Sequence, residues 1–72
     1  MNVYEYVGDN PNIQYGTPFC VVGFSNKRYF LMKTSWAELK NNPESITEKS
    51  STNSLSVEQN TFEKNFRFSK EI

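Results

Sequence analysis

Apolar residues crowd into the first forty positions of the chain. Residues 1–40 hold 19 of the 26 apolar side chains, residues 41–61 hold three (Ile46, Leu55 and Val57), and residues 62–72 hold four. The pattern is an apolar-rich body, a polar insert or mobile loop over 41–60, and a short apolar C-terminal segment. In Asn2–Val7, Val3 and Val7 fall on one side of a strand and Tyr4 and Tyr6 on the other. The turn formers Gly8-Asp9-Asn10-Pro11 end it. Asn12–Thr17 is ambiguous, because Ile13 and Tyr15 alternate and Gly16 then interrupts. Phe19–Phe24 is β-branched at Val21 and Val22 and apolar on both faces, as a central strand is. The polar loop Ser25-Asn26-Lys27-Arg28 separates it from Tyr29–Lys33, again apolar on both faces, so the two runs predict a hairpin.

Ser35 with Glu38 three residues on has capping-box spacing, which predicts a helix start there. Pro43 biases Asn42 away from helical angles and limits that helix to about two turns. A second short helix over 43–49 would have Asn42 as its cap and Pro43 at its first position. Lys49–Ser56 is rich in Ser, Thr and Asn, whose side chains compete with regular structure, and predicts a loop. From Phe62 to Ile72 the even positions are Phe, Lys, Phe, Phe, Lys and Ile, and the odd positions are all polar. That period of two predicts a strand over Thr61–Ser69. Against it, Ser56-x-x-Gln59 also has capping-box spacing and Glu58–Lys64 tolerates a helix. Leu55 and Val57 would form a short strand, hairpinned to the last one through Glu58-Gln59-Asn60.

These elements define a single small α+β domain over 1–72: a mostly antiparallel sheet of four to five strands with one short helix. A small SH3-like or OB-like β-barrel is the alternative that fits the same strand count.

Composition then narrows the function classes. A chain of 72 residues buries only about 60% of the surface its unfolded form exposes. Chains of this size lean on disulfides, a metal or a partner. A lone cysteine, Cys20, makes no internal disulfide, and without His there is no Cys/His zinc set, so no metal and no cofactor is expected. That raises the expectation of a partner, either a larger protein or a second copy of the chain. Six Phe, four Tyr and one Trp supply the core that aliphatic residues alone would not. The N-terminal residues show no signal-peptide pattern, and no apolar run exceeds four residues, so a cytoplasmic protein with no membrane partner is expected. Eight basic and eight acidic side chains give zero formal net charge, divided four to three over 1–40 and four to five over 41–72. A nucleic-acid binder usually carries a basic surface, so neutrality counts against that partner.

Candidate chemistry is sparse. Cys20 lies inside the most apolar strand with no His to serve as base, which marks a core thiol rather than a nucleophile. Glu44 and Glu48 would share a helix face within the polar insert, where nothing would bury them. Gly8, Gly16 and Gly23 match no phosphate-cradling loop. Non-enzymatic function is therefore the expectation. Two features point to recognition instead. Lys27 and Arg28 form a basic hairpin tip beside Tyr29 and Phe30, with Lys33 beyond; such a tip could hold nucleic acid through charge and stacking. Tyr4 and Tyr6 would face away from a Val3/Val7 core, and Tyr is enriched at interfaces. The alternative is a sheet covered on both sides.

The leading expectation is a protein-binding module, an inhibitor or adaptor, docking through an aromatic sheet face or an edge strand. Its contact residues would be Tyr4, Tyr6, Tyr29 and Trp36, with Lys27 and Arg28 as rim charges. Nine Asn and six Lys suggest AT-rich coding and an accessory or phage-borne origin. The second expectation is a nucleic-acid-binding barrel using the hairpin tip.

Overall fold

Strand β1 (Asn2–Tyr6) pairs antiparallel with β2 (Pro18–Ser25), and β2 pairs antiparallel with β3 (Arg28–Lys33). These come from the computed structural model of the chain, which describes residues 2–42 and 54–72. The β2–β3 connection is tighter than the four-residue loop expected. Ser25 pairs with Arg28, leaving a two-residue turn of Asn26 and Lys27. Both have positive φ, 53° and 62°. That is the handedness of a type I′ turn, whose twist matches the strands it joins. Between Val21 and Gly23 the register shifts, and Val22 is the extra residue of a bulge.

After β3, Ser35 caps helix α1 (Trp36–Asn41), its hydroxyl accepting the Glu38 N–H at 3.1 Å. Leu39 is the buried residue of this helix. The chain returns as β4 (Ser54–Glu58), continues directly into helix α2 (Gln59–Asn65), and ends as β5 (Phe66–Glu71). The sheet order is β4-β3-β2-β1-β5, all neighbours antiparallel. This is an open five-stranded sheet rather than a closed barrel, with two short helices among the described residues.

The C-terminal third departs from the sequence reading. The predicted strand Thr61–Ser69 is a helix up to Asn65 and a strand from Phe66. β4 does contain Leu55 and Val57, but it pairs with β3 rather than with the last strand. The physical reason is topological. β4 and β5 occupy opposite edges, so the link between them must cross a sheet face, and α2 makes that crossing. Phe62 and Phe66, four apart, both bury on it, their rings stacked at 5.1 Å and 15°. Ser54–Ser56, expected to be the end of a loop, belong to β4. The predicted helix over 43–49, the Glu44–Glu48 pair, and residues 49–53 of the predicted loop lie outside the described residues.

Each face of the sheet carries its own core. On one, Leu39 of α1 packs on Val3, Cys20 and Met32, with Val22 alongside. On the other, Phe62 and Phe66 join Tyr6, Phe19 and Leu31, with Tyr4, Val21, Tyr29 and Val57 partly buried around them. The alternation along each strand produces this division: Val3 against Tyr4, Cys20 against Phe19, Met32 against Leu31. The α2 face is an aromatic network in which Tyr4, Tyr6, Phe19, Phe24, Tyr29, Phe62, Phe66 and Phe68 are linked by ring contacts of 4.1 to 5.6 Å. Each such pair adds about 0.5–1.5 kcal/mol beyond its buried area. Asn12–Thr17 forms turns rather than a strand, although the β1–β2 ladder extends into it. Tyr6 N–H donates to Thr17 O at 2.9 Å, and Gly16, at φ 88°, donates to Tyr6 O at 2.8 Å. No helix among the described residues is long and apolar enough to cross a membrane.

Candidate functional site

The tyrosines expected at a recognition surface lie under α2. Tyr6 is only 5% exposed. Its ring meets Phe66 edge-on at 5.2 Å, and its hydroxyl accepts the Asn10 N–H at 3.0 Å. Tyr4 is half-buried against Phe62 and Phe68, and Tyr29 is half-buried, stacked on Phe62 at 4.1 Å and 23°. The reason is the crossover: Phe62 of α2 covers Tyr4, and Phe66, where the helix passes into β5, covers Tyr6. The other three expected contact residues are exposed but separated. Trp36 follows β3, whereas Lys27 and Arg28 precede or open it. Six strand residues at about 3.3 Å each put them roughly 20 Å apart. The predicted set therefore forms no common surface.

The basic tip is also smaller than its sequence suggests. Arg28 turns toward β4, where Nε donates to Ser56 Oγ at 2.6 Å and Nη2 to Ser56 O at 3.3 Å. The hollow beside it, about 360 Å³, is lined by Asn26, Lys27, Arg28, Glu58, Gln59 and Asn60, so an acidic residue is among those that line it with the two cations. Lys33 lies at the far end of β3, away from the tip.

At that far end a groove of about 400 Å³ is bounded by Tyr15 and Trp36, with Pro18, Lys33 and Thr34 among its lining residues. Tyr15 is 66% exposed and was not among the expected contacts. The available signal was its setting: an aromatic between Asn12 and Gly16, in a run of turn formers. The Thr34 hydroxyl nearby is sealed from solvent and lacks a hydrogen-bond partner among the described residues. Being sealed, it offers nothing to a ligand. Lys70 Nζ lies 5.9 Å from the centre of the Trp36 ring and occupies part of that side chain's surroundings.

The sheet edges are the remaining places where a partner could attach, and their backbone directions follow from the ladders. Gln59 N–H donates to Lys27 O at 3.0 Å. By antiparallel alternation, Val57 and Leu55 then point their N–H and C=O groups toward β3, and Ser56 points its pair outward. On the opposite edge, Val7 N–H donates to Asn65 O at 2.7 Å, and Arg67 pairs with Glu5. Phe68 accordingly directs its N–H and C=O away from β1. Its ring is 48% exposed. The two cations of β5 are engaged elsewhere: Arg67 Nη2 lies 3.1 Å from Glu5 Oε2, and Lys70 sits over Trp36. A register shift follows at Ser69, which has no opposite number on β1.

The one cysteine, Cys20, is fully buried, and desolvation pushes its thiol above the ordinary value. Among the described residues no three or more Cys, Asp or Glu side chains cluster as metal ligands would. No family model, curated protein or solved structure matches this chain.

Proposed function

We propose that this chain is a non-enzymatic protein-binding module, an inhibitor or adaptor of the cytoplasm, that docks by adding a strand of its partner to β5. The observation that carries the reading is Phe68, whose outward N–H and C=O stand at a sheet edge beside a half-exposed ring. A strand laid against β5 would exchange two backbone hydrogen bonds with Phe68 and cover its ring. That combination gives strand addition its affinity and its side-chain selectivity. A helix packs on each face of the sheet, α1 through Leu39 and α2 through Phe62, and among the described residues the outer edges of β4 and β5 pair with no further strand. The bulge at Ser69 restricts pairing to a short segment. A short contact of this kind suits a transient complex with a larger protein better than a permanent one.

The test is affinity capture from host extract with the wild-type chain and with Phe68→Pro, followed by amide exchange on the reconstituted pair. Pro at this position removes a donor directed at the partner, not a bond to β1. The expected result is a captured protein that slows exchange at the Phe68 amide and is lost with the folded variant. A partner held equally by both chains, or one that leaves the Phe68 amide unprotected, would overturn the reading.

A further inference from the structure

The β4 edge carries the sequence of a strand that should pair with other molecules. Ser54–Glu58 reads Ser-Leu-Ser-Val-Glu, with no Pro, and Leu55 is 44% exposed. Unguarded edges of this kind template pairing between chains. A new strand would need the outward N–H and C=O of Ser56, because a closely spaced antiparallel pair exchanges both groups of one residue. That carbonyl already accepts a side-chain hydrogen bond. Arg28, diagonal to Ser56 across the β3–β4 ladder, places Nη2 on Ser56 O at 3.3 Å and Nε on Ser56 Oγ at 2.6 Å.

We infer that Arg28 guards the β4 edge, its guanidinium occupying the outward carbonyl of Ser56 and so preventing a strand of another molecule, above all β4 of a second copy, from pairing there. An incoming strand must share the Ser56 carbonyl with the guanidinium or displace it, and the bulk and charge of Arg28 stand where that strand would lie. In a pairing of two β4 edges, two Arg28 side chains would also be brought together with the same charge. The planar fork of Arg suits this task because one side chain reaches both the hydroxyl and the carbonyl of the same residue. The inference rests on the geometry of β4 alone and stands or falls independently of the docking role of β5.

Light scattering after size exclusion, over a concentration series, tests it. Arg28→Ala should show about a doubling of apparent mass or more at high concentration, relative to the wild-type chain at the same concentration. The double variant Arg28→Ala/Ser56→Pro should return to the wild-type mass. Proline in place of Ser56 gives up only an outward N–H and makes the edge unable to pair. If Arg28→Ala keeps the wild-type mass throughout, the inference is wrong. It is also wrong if the variant associates and Ser56→Pro does not reverse it, since association would then come from unfolding or another surface.

Discussion

Helix α2 is seven residues long and has one buried side chain, Phe62, so its docking should depend on that ring. Phe62 is 3% exposed. It stacks on Tyr29 at 4.1 Å and on Phe66 at 5.1 Å, and meets Tyr4 edge-on at 4.8 Å. A buried Phe→Ala replacement costs about 3–5 kcal/mol. Three ring pairs of about 0.5–1.5 kcal/mol each place this one at the upper end, near 4–5 kcal/mol. At about 0.05–0.15 kcal/mol per residue, 72 residues give a total of about 4–11 kcal/mol. Phe62→Ala should therefore unfold much of the population or leave it barely folded. Phe62→Leu, which keeps apolar volume but not stacking, should lose about 1.5 kcal/mol. Urea titration followed by far-UV circular dichroism and by Trp36 fluorescence measures both. Trp36 lies on the α1 side, so coincident transitions would show that losing the α2 face unfolds the whole domain. A loss below about 1 kcal/mol for Phe62→Ala would show instead that the α2 face contributes little to stability.

Two further predictions concern the turn and the core. Lys27→Gly should raise stability by about 0.5–1 kcal/mol, because Lys27 holds φ at 62°, a conformation that disfavours side chains with a Cβ. This would be read as a rise of several degrees in Tm, and an unchanged or lower Tm would contradict it. Cys20 is protonated in the folded state over a wider pH range than in the unfolded chain, because burial raises its thiol above the ordinary 9.0. Its contribution to stability is complete below that value and is lost as pH rises above it, since the unfolded chain then releases the proton first. The stability difference between the wild-type chain and Cys20→Ala should hold constant to about pH 8 and shift against the wild type above pH 9. A difference independent of pH through pH 10 would contradict it.

How far the sequence disclosed this fold depended on the range of the interactions involved. β2 was legible because apolar residues on both faces of Phe19–Phe24 suit only a strand between two neighbours, and it lies at the centre of the sheet. Helix α1 was legible from a local device, Ser35 capping the Glu38 amide. The α2–β5 boundary was not, because Phe62, Phe66 and Phe68 satisfy two periods at once. Spacing of four between the first two fits a helix, and spacing of two between the last two fits a strand. Only the distant position of β1, to which β5 must be carried, decides where one stops. The site suffered from the same ambiguity. Alternation puts Tyr4 and Tyr6 on the face opposite Val3, but their burial depends on Phe62 and Phe66, more than fifty residues away. Tyr15, more exposed than any of the expected tyrosines, lies in a turn-rich segment and has no periodicity to reveal it.

The crossover also determines which part of the surface is left for recognition. Had β4 and β5 formed a hairpin, the aromatic face would have lacked α2, and Tyr4, Tyr6 and Tyr29 would have been available to a partner. Because α2 covers that face, the outward polar groups of the sheet among the described residues lie along β4 and β5, and the basic residues treat those edges differently. Arg28 reaches past its own strand to the outward carbonyl of β4. Arg67 and Lys70 turn toward Glu5 and Trp36, and neither takes up the outward groups of Phe68 among the described residues. On the proposed reading, a sheet with β4 guarded and β5 open would accept a single added strand. An assembly formed that way would end after one partner, whereas two open edges would propagate into a filament.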